Sequence, residues 1–313
     1  MAEISIDREQ LVARLVDLVP KSRLARIGRQ PVRIAQIAAL RHFGGTRIIE
    51  APLLWGDRFR GILPEAVTAL IWRFGAYEAT TTMFLTRYLE AGATFVDVGA
   101  HFGYFSLLAS RLVGPQGCVI SIEAMPTTFC YLEANVALNR LSNVRTFNFA
   151  ASDTEQTLIF RDHGVVYSSL NGITAPKGAL SQSKSLGISV DVQAHRLDAI
   201  SLVADDRHVA VIKIDAESSE ELVLSGLAAT IARQLPVVIV ELGGGDADED
   251  ERAARIAALM ATTGHLPFTY DGKLFHEIRH FSGLPYVNCF FLAPLHRSRM
   301  KFGVPFDGLS QQV

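Results

Sequence analysis

Short apolar runs alternate with helical stretches from residue 94 onward. Continuous apolar strands that alternate with helices are typical of a parallel sheet covered on both faces. The pattern therefore predicts an α/β fold with a doubly wound sheet. The predicted strands are Thr94–Val98, Cys118–Ile122, Val144–Phe149, Val209–Ile214 and Pro236–Glu241, and the predicted helices are Tyr104–Val113, Thr127–Asn139, Glu220–Leu227 and Glu249–Thr262.

The N-terminal part has a different pattern. Apolar residues at 4–19 have helical spacing, and residues 46–63 are typical of short strands that bend at Gly56 and Asp57. Seven Lys or Arg residues and no Asp or Glu lie between Lys21 and Arg47. A solvated helix face is the favoured interpretation of this basic stretch, and contact with an anionic surface, such as a phosphorylated partner or lipid headgroups, is the alternative.

At the other end, Phe268–Ile278 and Val287–Leu292 are expected to pair antiparallel at an edge of the sheet. We divide the chain into an N-terminal accessory region (1–75), a main domain (76–300) and a C-terminal tail (301–313).

Composition narrows the functional classes. The chain has 313 residues, 49% of them hydrophobic, and a net charge of -2, which indicates a globular protein without the basic excess of nucleic-acid-binding proteins. No apolar run approaches the ~20 residues of a membrane-spanning helix. Three cysteines without a CxxC pair argue against a disulfide framework. Acidic residues within the first thirty positions argue against a secretory signal, so a cytoplasmic location is expected.

The first candidate site is the segment from Asp97 to Gly103, where the first strand passes into its helix. Ligands bind at this position in open parallel sheets. Gly99 allows the backbone to approach a ligand, and Gly103 allows close helix packing, although turn geometry alone also explains such glycines. The G-x-x-x-G spacing differs from the G-x-G-x-x-G of dinucleotide-binding folds. Asp97 suits a positively charged ligand, such as the ammonium or sulfonium of S-adenosylmethionine.

Acidic residues follow the next two strands. Glu123 closes the second strand, where a carboxylate can accept hydrogen bonds from both hydroxyls of a ribose. Asp153 follows the third strand, where it can accept the amino group of adenine or only cap a turn. Three such features at the same end of successive strands point to a nucleoside-containing ligand.

The fourth strand ends in the sequence Lys213-Ile214-Asp215-Ala216-Glu217. Lys213 and Asp215 alternate with apolar residues and therefore point to one face of the strand. Ionisable residues inside a sheet are costly unless they are paired or functional. We expect Asp215 and Glu217 to lie over the same cleft as Asp97, with a structural ion pair of Lys213 as the alternative. Glu241 ends the fifth strand in the same register.

In this order, the segments resemble the FkbM-like family of S-adenosylmethionine-dependent methyltransferases. The resemblance covers about residues 55–295 and implies a class I methyltransferase fold, which is a Rossmann-like, seven-stranded sheet with its last strand antiparallel. It adds Glu78, His101 and Ala124 to the candidate cofactor-binding residues. The chain departs from the family pattern at His101, where Asn is usual, and at Ser218, where Gly is usual. The matching segments are Tyr77-Glu78, Phe95–Leu107, Glu123–Pro126, Leu132–Val136, Ala150–Asp153, Lys213–Glu217 and Pro236–Glu241.

The resemblance implies methyl transfer to a hydroxyl of a small molecule or glycan, such as a sugar or a secondary metabolite. A hydroxyl must lose its proton during transfer, and the candidate bases are Asp215, Glu217 and His163. No cluster of His, Asp or Glu has metal-ligand spacing, so no metal is expected. A homo-oligomer is left open.

Two alternative functions are kept. A methyltransferase-like binding module without catalysis would be consistent with the departures at His101 and Ser218. A nicotinamide-dependent oxidoreductase is disfavoured because G-x-G-x-x-G is absent after the first strand.

Overall fold

The structure is a computed structural model that describes residues 6–18, 30–170, 172–173, 187–200, 207–216, 219–244 and 247–303. β1 and β2 form an antiparallel hairpin, which confirms the strands predicted at 46–63. The helix predicted at 4–19 is shorter, because its first turn is capped by the carboxylate of Asp7 and it ends at Val16. The N-terminal elements are α1 (Arg8–Val16), α2 (Pro31–Phe43), β1 (Arg47–Pro52), β2 (Arg58–Leu63), α3 (Ala66–Phe74) and α4 (Ala79–Tyr88).

Alternating strands and helices follow, as predicted. They are β3 (Thr94–Val98), α5 (Tyr104–Val113), β4 (Cys118–Ile122), α6 (Pro126–Leu138) and β5 (Val144–Phe147). The third strand ends at Phe147, two residues earlier than predicted.

After β5 the chain forms a second sheet that the sequence analysis did not predict. Its strands lie in the order β6-β9-β7-β8. Most residues of the two longest strands, β7 and β9, are exposed or only partly buried, so these strands lack the continuous apolar run that marks a buried strand. The four strands are β6 (Ala150–Ser152), β7 (Gln156–Asp162), β8 (Gly172–Ile173) and β9 (Ile188–Arg196).

The remaining elements complete the large sheet. They are β10 (Val209–Ile214), α7 (Glu220–Gly226), α8 (Ala228–Gln234), β11 (Val237–Leu242), α9 (Ala247–Ala261), β12 (Leu266–Tyr270), β13 (Phe275–Glu277), β14 (Val287–Leu292) and α10 (Pro294–Arg297).

The strand order of the large sheet is β13-β12-β14-β11-β10-β3-β4-β5. Strands β11, β10, β3, β4 and β5 are parallel, and β14 is antiparallel to both β11 and β12. This order confirms the class I methyltransferase fold with an antiparallel last strand. β12 and β14 pair antiparallel toward one edge of the sheet, as predicted, and the structure differs in one detail, since β13 adds an eighth strand at that edge.

One apolar core joins the N-terminal elements to the large sheet. Leu15 of α1 and Phe59 of β2 are fully buried in the same cluster as Phe95 of β3 and Leu107 of α5. The hairpin and α3 are thereby held close to the carboxyl ends of the parallel strands. In the described part of the chain, no helix is long and apolar enough to cross a membrane.

Candidate functional site

A cavity of about 390 Å³ lies at the carboxyl ends of β3, β4, β10 and β11. Its volume falls within the ~300–1,000 Å³ of small-molecule sites. Phe59 of β2 and Val67 of α3 close one side, and Phe160 of the second sheet lines another part of the wall. The cavity therefore lies at the position where the sequence predicts a ligand, and two parts of the chain outside the large sheet complete it.

The turn after β3 is shaped by a close approach of two strand ends. The N–H of Asp215 donates to the carbonyl oxygen of Val98 at 3.0 Å. Gly99 has a φ of 72°, and a Cβ placed on it would lie 1.8 Å from the carbonyl oxygen of Asp215. Glycine is therefore required at position 99 because the chain segments after β3 and β10 are in contact there. This is a second reason for the glycine, besides the predicted approach of the backbone to a ligand.

His101 occupies the left-handed region of the backbone, with a φ of 52°. Its N–H donates to Glu123 Oε2 at 2.9 Å, its Nε2 lies 2.7 Å from Ser168 Oγ, and its ring stacks on Phe102. Burial lowers the pKa of the imidazole. Asn and His are both enriched in left-handed conformations, so this departure from the family pattern preserves the turn.

Glu123 lines the cavity with only 7% of its surface exposed. Its Oε1 accepts the N–H of Met125 at 3.0 Å, and its Oε2 accepts that of His101. Burial raises the pKa of Glu123 to about 7, although both hydrogen bonds act in the opposite direction. A carboxylate has about four lone-pair sites, so two remain for a ligand next to Ala124, which also lines the cavity.

Lys213 is the centre of a group of carboxyl side chains, the carboxyl cluster, formed by Glu78, Asp97, Asp215 and Glu241. The ammonium is 2% exposed, and its Nζ lies 3.0 Å from Asp215 Oδ2 and 4.9 Å from the ring centroid of Phe105. Burial alone would lower the pKa of Lys213, but the carboxylates of Asp215, Glu78 and Asp97 together raise it above its ordinary value. The predicted ion pair is therefore present, and it faces the cavity.

Asp97 lies opposite Lys213 on the neighbouring strand and is 1% exposed. Its Oδ2 accepts the hydroxyl of Ser106 at 2.6 Å. Burial raises the pKa of Asp97 to about 6, against the effect of Lys213 and Ser106. Asp97 is not among the residues that line the cavity. It lies behind the wall, where its charge acts on Lys213.

Glu241 is a carboxyl whose role the sequence pattern alone does not predict. It lines the cavity at the end of β11 and is hydrogen-bonded to Asp215. Burial, followed by the carboxylates of Asp215 and Glu78, raises the pKa of Glu241 to about 7. Behind it, Glu78 accepts the side-chain amide of Asn288 at 2.6 Å, and burial raises its pKa as well.

The predicted cofactor residues thus divide into two groups. Gly99, His101, Glu123 and Ala124 line the cavity, whereas Glu78, Asp97 and Gly103 lie behind its wall. Gly103 allows contact with α6, because a Cβ on it would lie 2.6 Å from Leu132 Cδ1.

Asp153 lies elsewhere than the sequence predicts. It follows β6 of the second sheet and not a strand of the large sheet, because the chain leaves the large sheet at Phe147. Its carboxylate accepts the hydroxyls of Ser152 and Thr154, each at 3.3 Å, and it does not line the cavity. A contact of Asp153 with adenine stays a prediction.

Of the other two candidate bases, one lies away from the cavity and one lies outside the described residues. His163 lies in the turn after β7 and does not line the cavity. Ser168, from the following turn, does line the cavity. Glu217 and Ser218 lie outside the described residues. Across the ranges that the structure describes, no three His, Cys, Asp or Glu side chains are grouped so that they could hold a metal ion.

Comparison with known proteins identifies a family. The Methyltransferase FkbM domain model matches residues 97–281, more than half of the chain. The ribosomal protein L11 methyltransferase of Acetivibrio thermocellus is 27% identical over 97 residues, which is 30% of this chain and 30% of that protein. The chain therefore matches less than a third of that relative.

Three solved structures have a similar arrangement, and two of them are methyltransferases by name. The methyltransferase FkbM of Methylobacillus flagellatus KT has 13% identity and a TM-score of 0.40, covering 85% of this chain and 60% of that one. The S-adenosylmethionine-dependent O-methyltransferase of Thermotoga maritima has 10% identity and a TM-score of 0.37, covering 83% and 79%. Fibrillarin of Aeropyrum pernix, with natively bound S-adenosyl-L-methionine, has 12% identity and a TM-score of 0.36, covering 65% and 66%.

Proposed function

The chain belongs to the FkbM methyltransferase family, and we propose that it methylates a hydroxyl group of an uncharged glycan or secondary metabolite. It is a methyltransferase whose methyl donor is S-adenosylmethionine. The main support for the proposed acceptor is the carboxyl cluster, in which Asp215 and Glu241 face the cavity beside the ammonium of Lys213.

The side chains at the cavity fit this methyl donor. Glu123 keeps lone pairs for the two ribose hydroxyls after it has accepted the N–H groups of His101 and Met125. The excess of carboxyl groups over the single ammonium of Lys213 suits the sulfonium and ammonium groups of the donor. Gly99 also lines the cavity and has no side chain to obstruct a ligand.

The donor supplies a methyl group that its sulfonium already activates. The protein must hold the acceptor hydroxyl in line with that methyl and remove the hydroxyl proton. We assign the removal of the hydroxyl proton to Glu241, which faces the cavity. Its pKa of about 7 lies near neutral pH, where a general base is most effective.

Asp215 is the positioning partner of that base. It accepts a hydrogen bond from Lys213 Nζ, so Glu241 is the carboxyl of the pair that is not held by this ammonium. The negative charge of Asp215 also contributes to the raised pKa of Glu241. His163, another base predicted from the sequence, does not line the cavity, and Glu217 lies outside the described residues.

The charge of the cavity supports an uncharged acceptor. Among the described residues, three carboxyl groups line the cavity and two more lie behind it, against one ammonium. Juxtaposed like charges disfavour binding, so a phosphorylated or carboxylated acceptor would be repelled from Glu241.

The experiment is a product screen with isotopically labelled S-adenosylmethionine. Each uncharged sugar, polyol or phenol is paired with its phosphorylated or carboxylated derivative, and products are analysed by mass spectrometry. We expect labelled methyl ethers from uncharged acceptors, and none with Glu241→Gln. Label found only on nitrogen, or only on the anionic member of each pair, would contradict the proposal.

A further inference from the structure

Helix α2 has apolar side chains on two faces. Ile37 packs into the core with 7% of its surface exposed. Val32 and Phe43 are 68% and 82% exposed. They are about three helical turns apart and therefore lie on one face, different from that of Ile37. A helix that is apolar on two faces needs a partner on each.

A groove runs beside this second face. Its helical wall is formed by positions spaced i, i+3, i+4 and i+7, and the hairpin and α3 form the opposite wall. The groove has a volume of about 260 Å³. Grouped apolar exposure of this kind marks interaction sites. The groove is lined by Gln36, Ala39, Leu40, Phe43, Leu63 and Trp72.

The charge of this surface is positive. Residues 30–47 include Arg33, Arg41 and Arg47 and contain no Asp or Glu. Arg33 donates to the carbonyl oxygen of Trp72, and Arg41 donates to that of Pro64 at 3.5 Å. These partners are neutral and leave the positive charges uncompensated.

We propose that α2 and the β1–β2 hairpin dock on a lipid bilayer that contains anionic headgroups. Phe43 and Val32 enter the boundary between headgroups and acyl chains, and the three arginines contact the headgroups. A helix with exposed apolar residues and a basic flank binds membranes in this orientation, parallel to the surface. We call Val32, Phe43, Arg33, Arg41 and Arg47 the docking surface.

Charge complementarity selects this occupant over a second copy of the chain. A twofold dimer places the same patch of both subunits in contact, which would bring two sets of uncompensated arginines together. An acidic protein would satisfy the charges, but the near-complete exposure of Phe43 favours a partner with a hydrocarbon interior.

The test is sedimentation of the full chain with phosphatidylcholine vesicles, with or without phosphatidylserine. We expect binding only to the vesicles that contain phosphatidylserine, and weaker binding as salt is raised. Arg41→Glu combined with Arg47→Glu should weaken binding by at least ~25-fold, since each positive charge near the surface contributes about fivefold. Phe43→Asn should weaken it roughly tenfold through loss of apolar insertion.

Matched controls lie elsewhere on the surface. Ile159→Asn replaces a half-exposed apolar residue of β7, and Arg145→Glu reverses an exposed charge of β5. Both should bind vesicles like the wild type, and all variants should retain the thermal shift with S-adenosylmethionine. Equal binding to both vesicle types, or unchanged binding by the docking-surface variants, would overturn the proposal. So would a dimer that dissociates in Phe43→Asn without any vesicle binding.

Discussion

The carbonyl oxygen of Asp215 approaches Gly99 so closely that a Cβ on Gly99 would lie 1.8 Å from it. The contact joins the ends of two neighbouring strands, β3 and β10, and the N–H of Asp215 adds a hydrogen bond to Val98 at the same place. The cavity wall that contains Gly99 and the carboxyl pair of Asp215 and Glu241 are therefore held together by backbone contact. A change at Gly99 should affect both.

Gly99→Ala should destabilise the fold and abolish cofactor binding. Any alanine in this conformation costs about 1–2 kcal/mol, and here the Cβ must also displace the segment after β10. Gly92→Ala is the matched control, because Gly92 has a φ of 84° but no atom within 4 Å of a Cβ. Thermal melts and calorimetry should show only the modest loss of stability in Gly92→Ala. Equal losses in both variants would show that the contact with Asp215 is unimportant.

Glu123→Gln should weaken cofactor binding by at least tenfold. The amide replaces one charge-assisted acceptor by a donor, and hydrogen bonds to charged groups contribute about 1.5–3 kcal/mol each. A loss of stability is also expected, since the Glu123 carboxylate accepts the N–H groups of His101 and Met125. Glu133→Gln, on the exposed side of α6, is the control. Calorimetry with S-adenosylmethionine that gives the same affinity for both variants would place the ribose elsewhere.

His101→Asn should preserve both the fold and methyl transfer. Asparagine tolerates the left-handed backbone at this position and keeps the N–H that donates to Glu123. His101→Val should lose stability by about 1–3 kcal/mol, because a β-branched residue is strained in this conformation. If valine melted at the same temperature as asparagine, the left-handed turn would not be what residue 101 is selected for.

The sequence predicts the position of the cavity well, because each strand that ends there has a simple signature. Thr94–Val98 and Val209–Ile214 are continuous apolar runs that end in charged or glycine residues, and the structure brings their ends to one cavity. The alternative of a binding module without catalysis rested on the departures at His101 and Ser218. The departure at His101 no longer supports it, since His101 keeps the turn. The other, Ser218, lies outside the described residues.

The rest depends on information that local patterns do not contain. The contact between Glu241 and Asp215 requires β11 to lie beside β10, a neighbour relation set by the whole sheet. Asp153 is assigned to the wrong sheet because Val144–Phe149 contains no signal for the chain to leave at Phe147. The second sheet is missed because half-exposed strands resemble loops in composition.

Glu241→Gln should stabilise the cofactor-free protein increasingly as pH rises. The pKa of Glu241 is about 7 in the folded state against an ordinary 4.5, so the folded state binds the proton more tightly than the unfolded state. The resulting stability is fully present below the unfolded pKa and is lost as pH rises through the folded pKa. Glutamine does not titrate and escapes this loss.

The difference in unfolding free energy between Glu241→Gln and wild type should therefore grow by on the order of 2 kcal/mol between about pH 5 and pH 8, since one pKa unit corresponds to about 1.4 kcal/mol. Denaturant melts at both pH values measure it. Glu133→Gln should give a difference that does not change with pH. A constant difference for Glu241→Gln as well would mean that Glu241 has an ordinary pKa.

The rate of methyl transfer should rise with pH through the titration of Glu241, because only the deprotonated carboxylate can accept the hydroxyl proton. Three charged groups interact with the Glu241 carboxyl. They are Lys213 in β10, Asp215 directly after β10, and Glu78 at the start of α4. Burial is the main cause of its raised pKa, and the negative charge of Asp215 is the next. Asp215→Asn removes that charge and leaves Lys213 in place. The rising limb of the pH–rate profile should therefore move to lower pH.

Glu241→Gln should instead lower kcat by ~100- to 10,000-fold at every pH, the usual effect of losing a general base. Each variant removes one carboxyl group that faces the sulfonium and ammonium groups of the donor, so any loss of cofactor affinity should be similar in the two, and calorimetry separates it from the change in kcat. The two outcomes separate a base from its positioning partner, because only the Asp215 variant retains a titrating carboxylate. If Glu241→Gln turns over near-normally while Asp215→Asn is inactive at every pH, the roles are reversed and Asp215 takes the proton.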